Sequence, residues 1–426
     1  MRILIKNGHL IDPINKIDAI MDILIENSKI SQVAKEINSK ADKVIDAKGK
    51  FVAPGLIDMH VHLREPGRED KETIATGTLA ALKGGITTVL AMPNTSPAID
   101  SSENVRMVEN IIKKTANANV LICAAITKGR LGEELTDAAK LKKAGVVALT
   151  DDGSSVADEK LLLGAFKQAK KEKMLLICHS EDKKISGNGV INLGAVSTRL
   201  GLRGIPRESE HATVKRDIEL ARQAKSAVHI AHVSCAESVK IIAEAKKKGA
   251  AVTAETAPHY FSLHEEGLFD YDTNLKMNPP LRTESDIAAI KEGLKKGIID
   301  AIASDHAPHT ENEKDIEFDR AEFGVIGLET ELAVSITELV QTGILSWAQL
   351  IEKLSVNPAR ILGVDRGNLK AGSTADLIIF SGDQEWVVKK EELISKSKNS
   401  PFLNRKLEGV IEYTLLGGKI VYEGNV

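Results

Sequence analysis

Six times in the middle of the chain, a lysine-rich helical stretch gives way to a small residue and then to a short apolar run. The segments are AALKGGITTVLAMPN, KLKKAGVVALTDD, QAKKEKMLLICHSE, RQAKSAVHIAHVS, EAKKKGAAVTAET and GLKKGIIDAIASDH. Lysines in a last helical turn face the negative end of the macrodipole, and glycine suits the position just beyond it. Apolar runs of this length, bounded by turn signals, read as parallel strands buried on both faces. Apolar runs at 52–59 and 120–126 bring the count to eight strands alternating with helices. Eight such units predict an α/β chain built as a (β/α)8 TIM barrel rather than a doubly wound sheet.

The two ends have another rhythm. Residues 2–6 and 22–26 alternate apolar and polar positions, with Asn7-Gly8 and Lys48-Gly49 as turn signals. Residues 375–380, 409–416 and 419–422 are strand-like, with Gly417-Gly418 between the last two. Neither end is long enough for a comfortable core of its own. The expectation is a small composite β-sandwich domain made from residues 1–52 and 357–426, which the chain leaves and re-enters around a barrel of residues 53–356.

Composition removes several function classes. With 57 Lys+Arg against 60 Asp+Glu the formal net charge is −3, and aromatic residues are 3% of the chain. There is no cationic excess to neutralise a phosphate backbone and little to stack on bases, so no nucleic-acid partner is expected. The N-terminus is interrupted by Lys6, His9 and Asp12 and lacks the apolar region of a signal peptide. No apolar run approaches the roughly 18 residues of a membrane helix, so no membrane association is expected. Cys123, Cys178 and Cys235 read as small buried hydrophobes in a reducing cytoplasm.

The chemistry gathers where the predicted strands end. The first runs into His60-Val61-His62, the fourth into Asp151-Asp152, the fifth into His179, the sixth into His232 and the eighth into Asp305. Barrel enzymes carry their catalytic groups at the C-terminal ends of the strands. In His60-x-His62 the two imidazoles point the same way along a strand and can reach one ion. Singly, each residue fits a duller role: a structural histidine, a turn aspartate, a helix cap. Jointly, at corresponding strand ends, they point to a metal site. Four histidines and two aspartates exceed the three protein ligands of a single catalytic zinc and suit two ions sharing a carboxylate. Mixed imidazole and carboxylate donors favour zinc, with manganese or cobalt as alternatives.

GLIDMHVHLREPG (55–67), AMPNT (91–95), TDDG (150–153), ICHSED (177–182), AHVS (231–234), ETAPHY (255–260), MNPPLR (277–282), ASDHAPH (303–309) and NPARILG (357–363) together resemble the bacterial class I dihydroorotases of the amidohydrolase superfamily. The resemblance runs nearly the whole length of the chain. It implies the reversible hydrolysis of (S)-dihydroorotate to N-carbamoyl-L-aspartate, the third step of de novo pyrimidine synthesis. It also implies two Zn2+ per subunit. His60, His62 and Asp305 would hold one, His179 and His232 the other, and Asp152 would bridge, with Asp151 as the fallback. Many superfamily members bridge with a carboxylated lysine; an aspartate there fits class I dihydroorotases and counts against allantoinase, dihydropyrimidinase or hydantoinase.

The substrate implied is an anion. Arg64 lies two residues past His62, and guanidinium pairs bidentately with carboxylate. By resemblance Asn94, His309, Asn278 and the Phe323-Gly324 backbone would complete the grip with His62, and Asp305 would carry the proton to the leaving ring nitrogen. His259 and His306 read as groups that orient ligands or serve structure. The charged segment 310–323, TENEKDIEFDRAEF, reads either as a lid over the mouth or as a solvated loop. A homodimer is expected, and a complex with aspartate transcarbamoylase is compatible with the resemblance. A ligand-poor, inactive relative of that kind is the non-enzymatic alternative, but every ligand position here is filled.

Overall fold

The computed structural model describes residues 2–424. The eight barrel strands are Leu56–Val61, Ile86–Ala91, Asn119–Ala124, Ala148–Leu149, Leu175–Cys178, Val228–Ile230, Val252–Thr256 and Ala301–Ile302, paired in chain order. Each neighbouring pair is parallel. Closure between the first and last strands comes just beyond the eighth, where the His62 amide donates to the His306 carbonyl at 2.9 Å. The seam therefore lies at the C-terminal mouth and carries the ligand-type residues of both strands. This is the (β/α)8 barrel that the alternation predicts.

The barrel interior is filled by small and medium apolar side chains, among them Ile57, Met59, Cys123, Ala148, Ile177 and Ala301. Ala359 and Leu362 join the same cluster from the short helix Asn357–Leu362. The NPARILG motif thus closes the floor of the barrel and stays clear of the mouth.

Lysines do occupy the last helical turns, as in Ile74–Lys83, Glu159–Glu172 and Ala236–Lys247. The residue that reverses the chain is not always glycine. Gly249 and Gly297 take left-handed φ of 79° and 71°, but Lys173 and Lys225 adopt φ of 53° at the same structural point. A side chain there costs about 1–2 kcal/mol, which the strands that follow offset by burial.

The chain ends form a second, eight-stranded sheet. Arg2–Asp12, Ile17–Glu26, Lys29–Ala34, Lys43–Asp46 and Phe51–Pro54 come from the N-terminal side, and Leu377–Val387, Lys406–Leu416 and Lys419–Glu423 from the C-terminal side. They meet where Phe51–Pro54 runs antiparallel to Leu377–Val387, with Val52 opposite Ile379. Ile3, Ile5, Ile23, Val52, Leu377, Ile379 and Leu415 fill one core beneath this sheet, with residues of both ends interleaved. The apolar run at 52–59 is therefore two strands. Gly55 separates them: its amide donates to the Asp376 carbonyl at 2.9 Å, and a Cβ there would lie 2.3 Å from Thr87 Oγ1.

Among the described residues no helix is long and apolar enough to cross a membrane. The three cysteines are buried and free.

Candidate active site

The barrel brings the histidines and aspartates at the strand ends into one cluster. His60 Nε2 lies 3.2 Å from Asp152 Oδ1 and 3.6 Å from Asp305 Oδ1. His62 Nε2 lies 3.4 Å from both Asp152 Oδ2 and Asp305 Oδ1. On the other side, Asp152 Oδ1 is 3.5 Å from His179 Nδ1 and 3.5 Å from His232 Nε2. Asp152 thus stands at the centre, one oxygen turned to His62 and the other shared among three imidazoles. All six residues are less than a tenth exposed. His232 and Asp305 reach the cluster from left-handed backbone, φ 36° and 48°, which non-glycine residues adopt at a cost and often at functional positions.

The arrangement leaves buried polar atoms without partners. Among the described residues, His60 Nε2, Asp152 Oδ1 and His232 Nδ1 make no hydrogen bond. Burial alone would raise the Asp152 carboxyl, but the facing His60, His179 and His232 rings hold it well below its usual range. An ionised carboxylate amid inward-facing ring nitrogens is what a cation would satisfy. Among the described residues, two groups meet the geometry for an ion, His60–Asp152–His232 and His60–His62–Asp305. The residues present fit a metal.

The outer ring nitrogens of His60, His62 and His179 are held, whereas that of His232 is not. His60 Nδ1 donates to Glu255 Oε1 at 2.8 Å, and the other oxygen of Glu255 lies 3.2 Å from His229 Nε2. His62 Nδ1 donates to Asn94 Oδ1 at 2.8 Å. His179 Nε2 donates to Glu181 Oε2 at 3.1 Å. Such partners fix the tautomer and aim the free nitrogen inward. Asp58, wholly buried, accepts from the His60 amide at 2.9 Å and from the Ser304 amide and hydroxyl, tying the first strand to the eighth. Burial pushes its carboxyl up to about 7.

A cavity of about 300 Å³ opens over this cluster, and Arg64, Asn94, Asn278, His309, Phe323 and Gly324 all line it. Arg64 donates from Nε to the Pro308 carbonyl at 3.2 Å, leaving most of its guanidinium edge to the cavity. Asn278 donates to Glu181 Oε2 at 2.9 Å, so it also steadies the carboxylate that holds His179. The Phe323 carbonyl accepts from His309 Nε2 at 2.8 Å, and the Gly324 amide donates to the Lys276 carbonyl at 2.9 Å. His259 is buried edge-on to Tyr260, and burial pulls its ring down to about 4. His306 accepts from the Gly327 amide and faces Glu72, in the wall below the mouth.

The site is framed by the fold; its relatives show which fold family this is. The family model described as Dihydro-orotase-like matches residues 49–238. A protein named Dihydroorotase from Elusimicrobium minutum is 53% identical over 99% of this chain and 98% of its own length. One of the same name from Geotalea daltonii is 50% identical over 99% and 100%. The chain belongs to the dihydroorotase family. Solved structures show the same architecture in more distant proteins. L-hydantoinase (dihydropyrimidinase) from Arthrobacter aurescens superposes with a TM-score of 0.90 at 25% identity, covering 99% of this chain and 96% of that one. A D-hydantoinase gives 0.88 at 26%, covering 99% and 95%.

This member of the dihydroorotase family has site residues that sequence reasoning missed. Glu255 lies one residue before the end of the seventh strand, the strand with no expected ligand. Glu181 repeats the i, i+2 spacing of His60-x-His62, and that spacing was the available signal. Arg130 lines the cavity and donates to the Asp152 carbonyl; nothing in TKGR marks it. Lys183 stands at the rim, 2.5 Å from Glu181 Oε2.

The segment 310–323 is fastened from below. Lys276, buried, donates to the carbonyls of Phe318, Asp319 and Ala321 at 2.7, 3.1 and 2.6 Å. Lys314, also buried, donates to those of Glu322 and Gly324 at 2.8 and 3.0 Å. Charged side chains such as Glu317 and Arg320 face solvent while the backbone is pinned beside the cavity. Lys276→Met removes three charged donors at once. It should lower stability by on the order of 2–3 kcal/mol, read from urea unfolding; an unchanged midpoint would show that these bonds do not hold the segment.

Proposed function

We propose that the chain catalyses the reversible hydrolysis of (S)-dihydroorotate to N-carbamoyl-L-aspartate, the ring-closing step of pyrimidine synthesis, with two zinc ions bridged by Asp152. The observation that carries this reading is one cavity with a His/Asp cluster on its floor and the Arg64 guanidinium on its wall. Whole-chain identity of about half to proteins named Dihydroorotase supports the same substrate.

His60, His62 and Asp305 would hold one ion, and His179 and His232 the other. When bound, such a pair supplies a water-derived nucleophile at neutral pH and polarises a carbonyl. The chain does the rest. Arg64, with His309 and the Asn94 amide, would hold the substrate carboxylate and so fix the scissile amide over the cluster. Asn278 and the Phe323-Gly324 backbone would confine the ring from the opposite wall. Asp305 faces the cavity and would accept the proton released by the attacking water, then give it to the leaving ring nitrogen. In the biosynthetic direction the same carboxylate works in reverse. The reading includes a cytoplasmic location, supported by three free buried cysteines, and a homodimer.

The two adjacent aspartates make separate expectations. Asp151 accepts from the amides of Ile126 and Thr127 at 2.8 and 3.1 Å and so anchors the loop after the third strand. Asp152→Ala should lower the metal content sharply, because a shared carboxylate compensates both ions, whereas Asp151→Asn should retain it. Elemental analysis of the two variants checks this, and metal loss in Asp151→Asn alone would reverse the assignment.

The fold is shared with hydantoinases at about a quarter identity, so a neutral cyclic amide is the competing substrate. Dihydroorotate, dihydrouracil, hydantoin and allantoin assayed side by side on metal-replete protein separate the two. Dihydroorotate should lead in kcat/KM; a lead for any neutral ring would overturn the reading.

A further inference from the structure

Lys71 lies in the charged run Arg68-Glu69-Asp70-Lys71-Glu72, which has the composition of a solvated turn. It is nevertheless 4% exposed. Its ammonium sits 3.0 Å from His309 Nδ1 and 3.0 Å from Glu313 Oε1. Glu313 is itself held by Arg68 Nη2 at 2.7 Å and by the Thr310 amide at 3.0 Å. The carboxylate thus neutralises the buried ammonium and aims it at the imidazole.

An ammonium has donors only, so a ring nitrogen facing it must offer a lone pair. That places the one proton of a neutral imidazole on Nε2. His309 Nε2 is the atom at the cavity, 2.8 Å from the Phe323 carbonyl and 3.4 Å from Arg64 Nη2. Arg64, Lys71 and Lys314 surround the ring with positive charge, which the Glu313 carboxylate opposes. Burial, followed by the charges of Arg64 and Lys71, keeps the ring from protonating. The Nδ1–H tautomer would set a donor against the ammonium and turn a lone pair toward the cavity, where a carboxylate would repel it.

We propose that Lys71 is a positioning residue that, opposite the Phe323 carbonyl, fixes His309 as the Nε2–H tautomer, so that the imidazole carries at the cavity a donor that the substrate carboxylate can take over from that carbonyl. This rests on the reading of His309 as a substrate contact. Lys71 would not touch substrate; it would set the state of His309, which would.

The test is 15N NMR of protein labelled at histidine, with the His309 signals assigned by their loss in His309→Gln. In the wild-type protein near neutral pH, His309 should show a protonated-type Nε2 and a lone-pair-type Nδ1. A protonated Nδ1 there overturns the proposal without recourse to any variant. In Lys71→Met the pattern should shift toward Nδ1–H or imidazolium, and in Lys71→Arg it should return toward wild type. An unchanged pattern in Lys71→Met also overturns it. Kinetics on the same preparations address the underlying reading separately. KM for dihydroorotate should rise roughly 10- to 100-fold in Lys71→Met, more than kcat falls, at unchanged metal content. A shifted tautomer with unchanged KM would uphold the role of Lys71 and refute His309 as a substrate contact.

Discussion

Asp305→Asn should lower kcat by about 10²- to 10⁴-fold or more while leaving the fold intact. Asparagine keeps the shape of the side chain and tolerates left-handed backbone better than most residues, so the φ of 48° at this position is preserved without added strain. What is lost is the base. Asp305 Oδ1 lies between His60 Nε2 and His62 Nε2 at 3.6 and 3.4 Å, at the floor of the cavity, where an amide can neither take up the proton nor compensate a cation. Steady-state rates in both directions, with circular dichroism and elemental analysis on the same samples, check this. Retention of more than about a tenth of the wild-type rate would remove Asp305 from the chemistry.

Arg64→Met should cost on the order of 2–5 kcal/mol in transition-state stabilisation, roughly 30- to several-thousand-fold in kcat/KM. The guanidinium lines the cavity and is held in place by the Pro308 carbonyl, but it has no lone pair and cannot ligate a metal. The effect should therefore appear in catalysis and leave the metal content unchanged. Methionine keeps the apolar stem, so packing changes little. Ring opening and ring closure should suffer alike, because dihydroorotate and carbamoyl aspartate both carry the carboxylate that Arg64 would hold. Near-normal kcat/KM would leave the cluster standing and favour a neutral ring as substrate.

The barrel and its cluster were legible because both depend on short-range signals repeated in register. Lysines at helix ends, a small residue and an apolar run recur, and strand ends then fall at predictable positions, so His60, His62, Asp152, His179, His232 and Asp305 could be placed at one mouth from the sequence. The groups that hold those residues were less legible, because their partners are distant along the chain and ordinary in type. Glu255 meets His60 across 195 residues, and Asp58 meets Ser304 across 246. Charge was the most misleading signal. Lys71, Lys276 and Lys314 stand in polar stretches that suggest solvent, yet each is buried and satisfied by carbonyls, a carboxylate or an imidazole that only the fold supplies. The boundary at Gly55 was lost for another reason: two strands of different sheets abut with one residue between them, and their apolar character runs on.

On the proposed reading, one cluster of imidazoles and carboxylates holds the metal on which turnover of an anionic ring depends. The most direct test is to strip the protein with a chelator and titrate zinc back while recording dihydroorotate turnover. The stripped protein should show no turnover, and activity should rise to a plateau at two equivalents per chain. Undiminished turnover without metal, or a plateau at one equivalent, would contradict that reading.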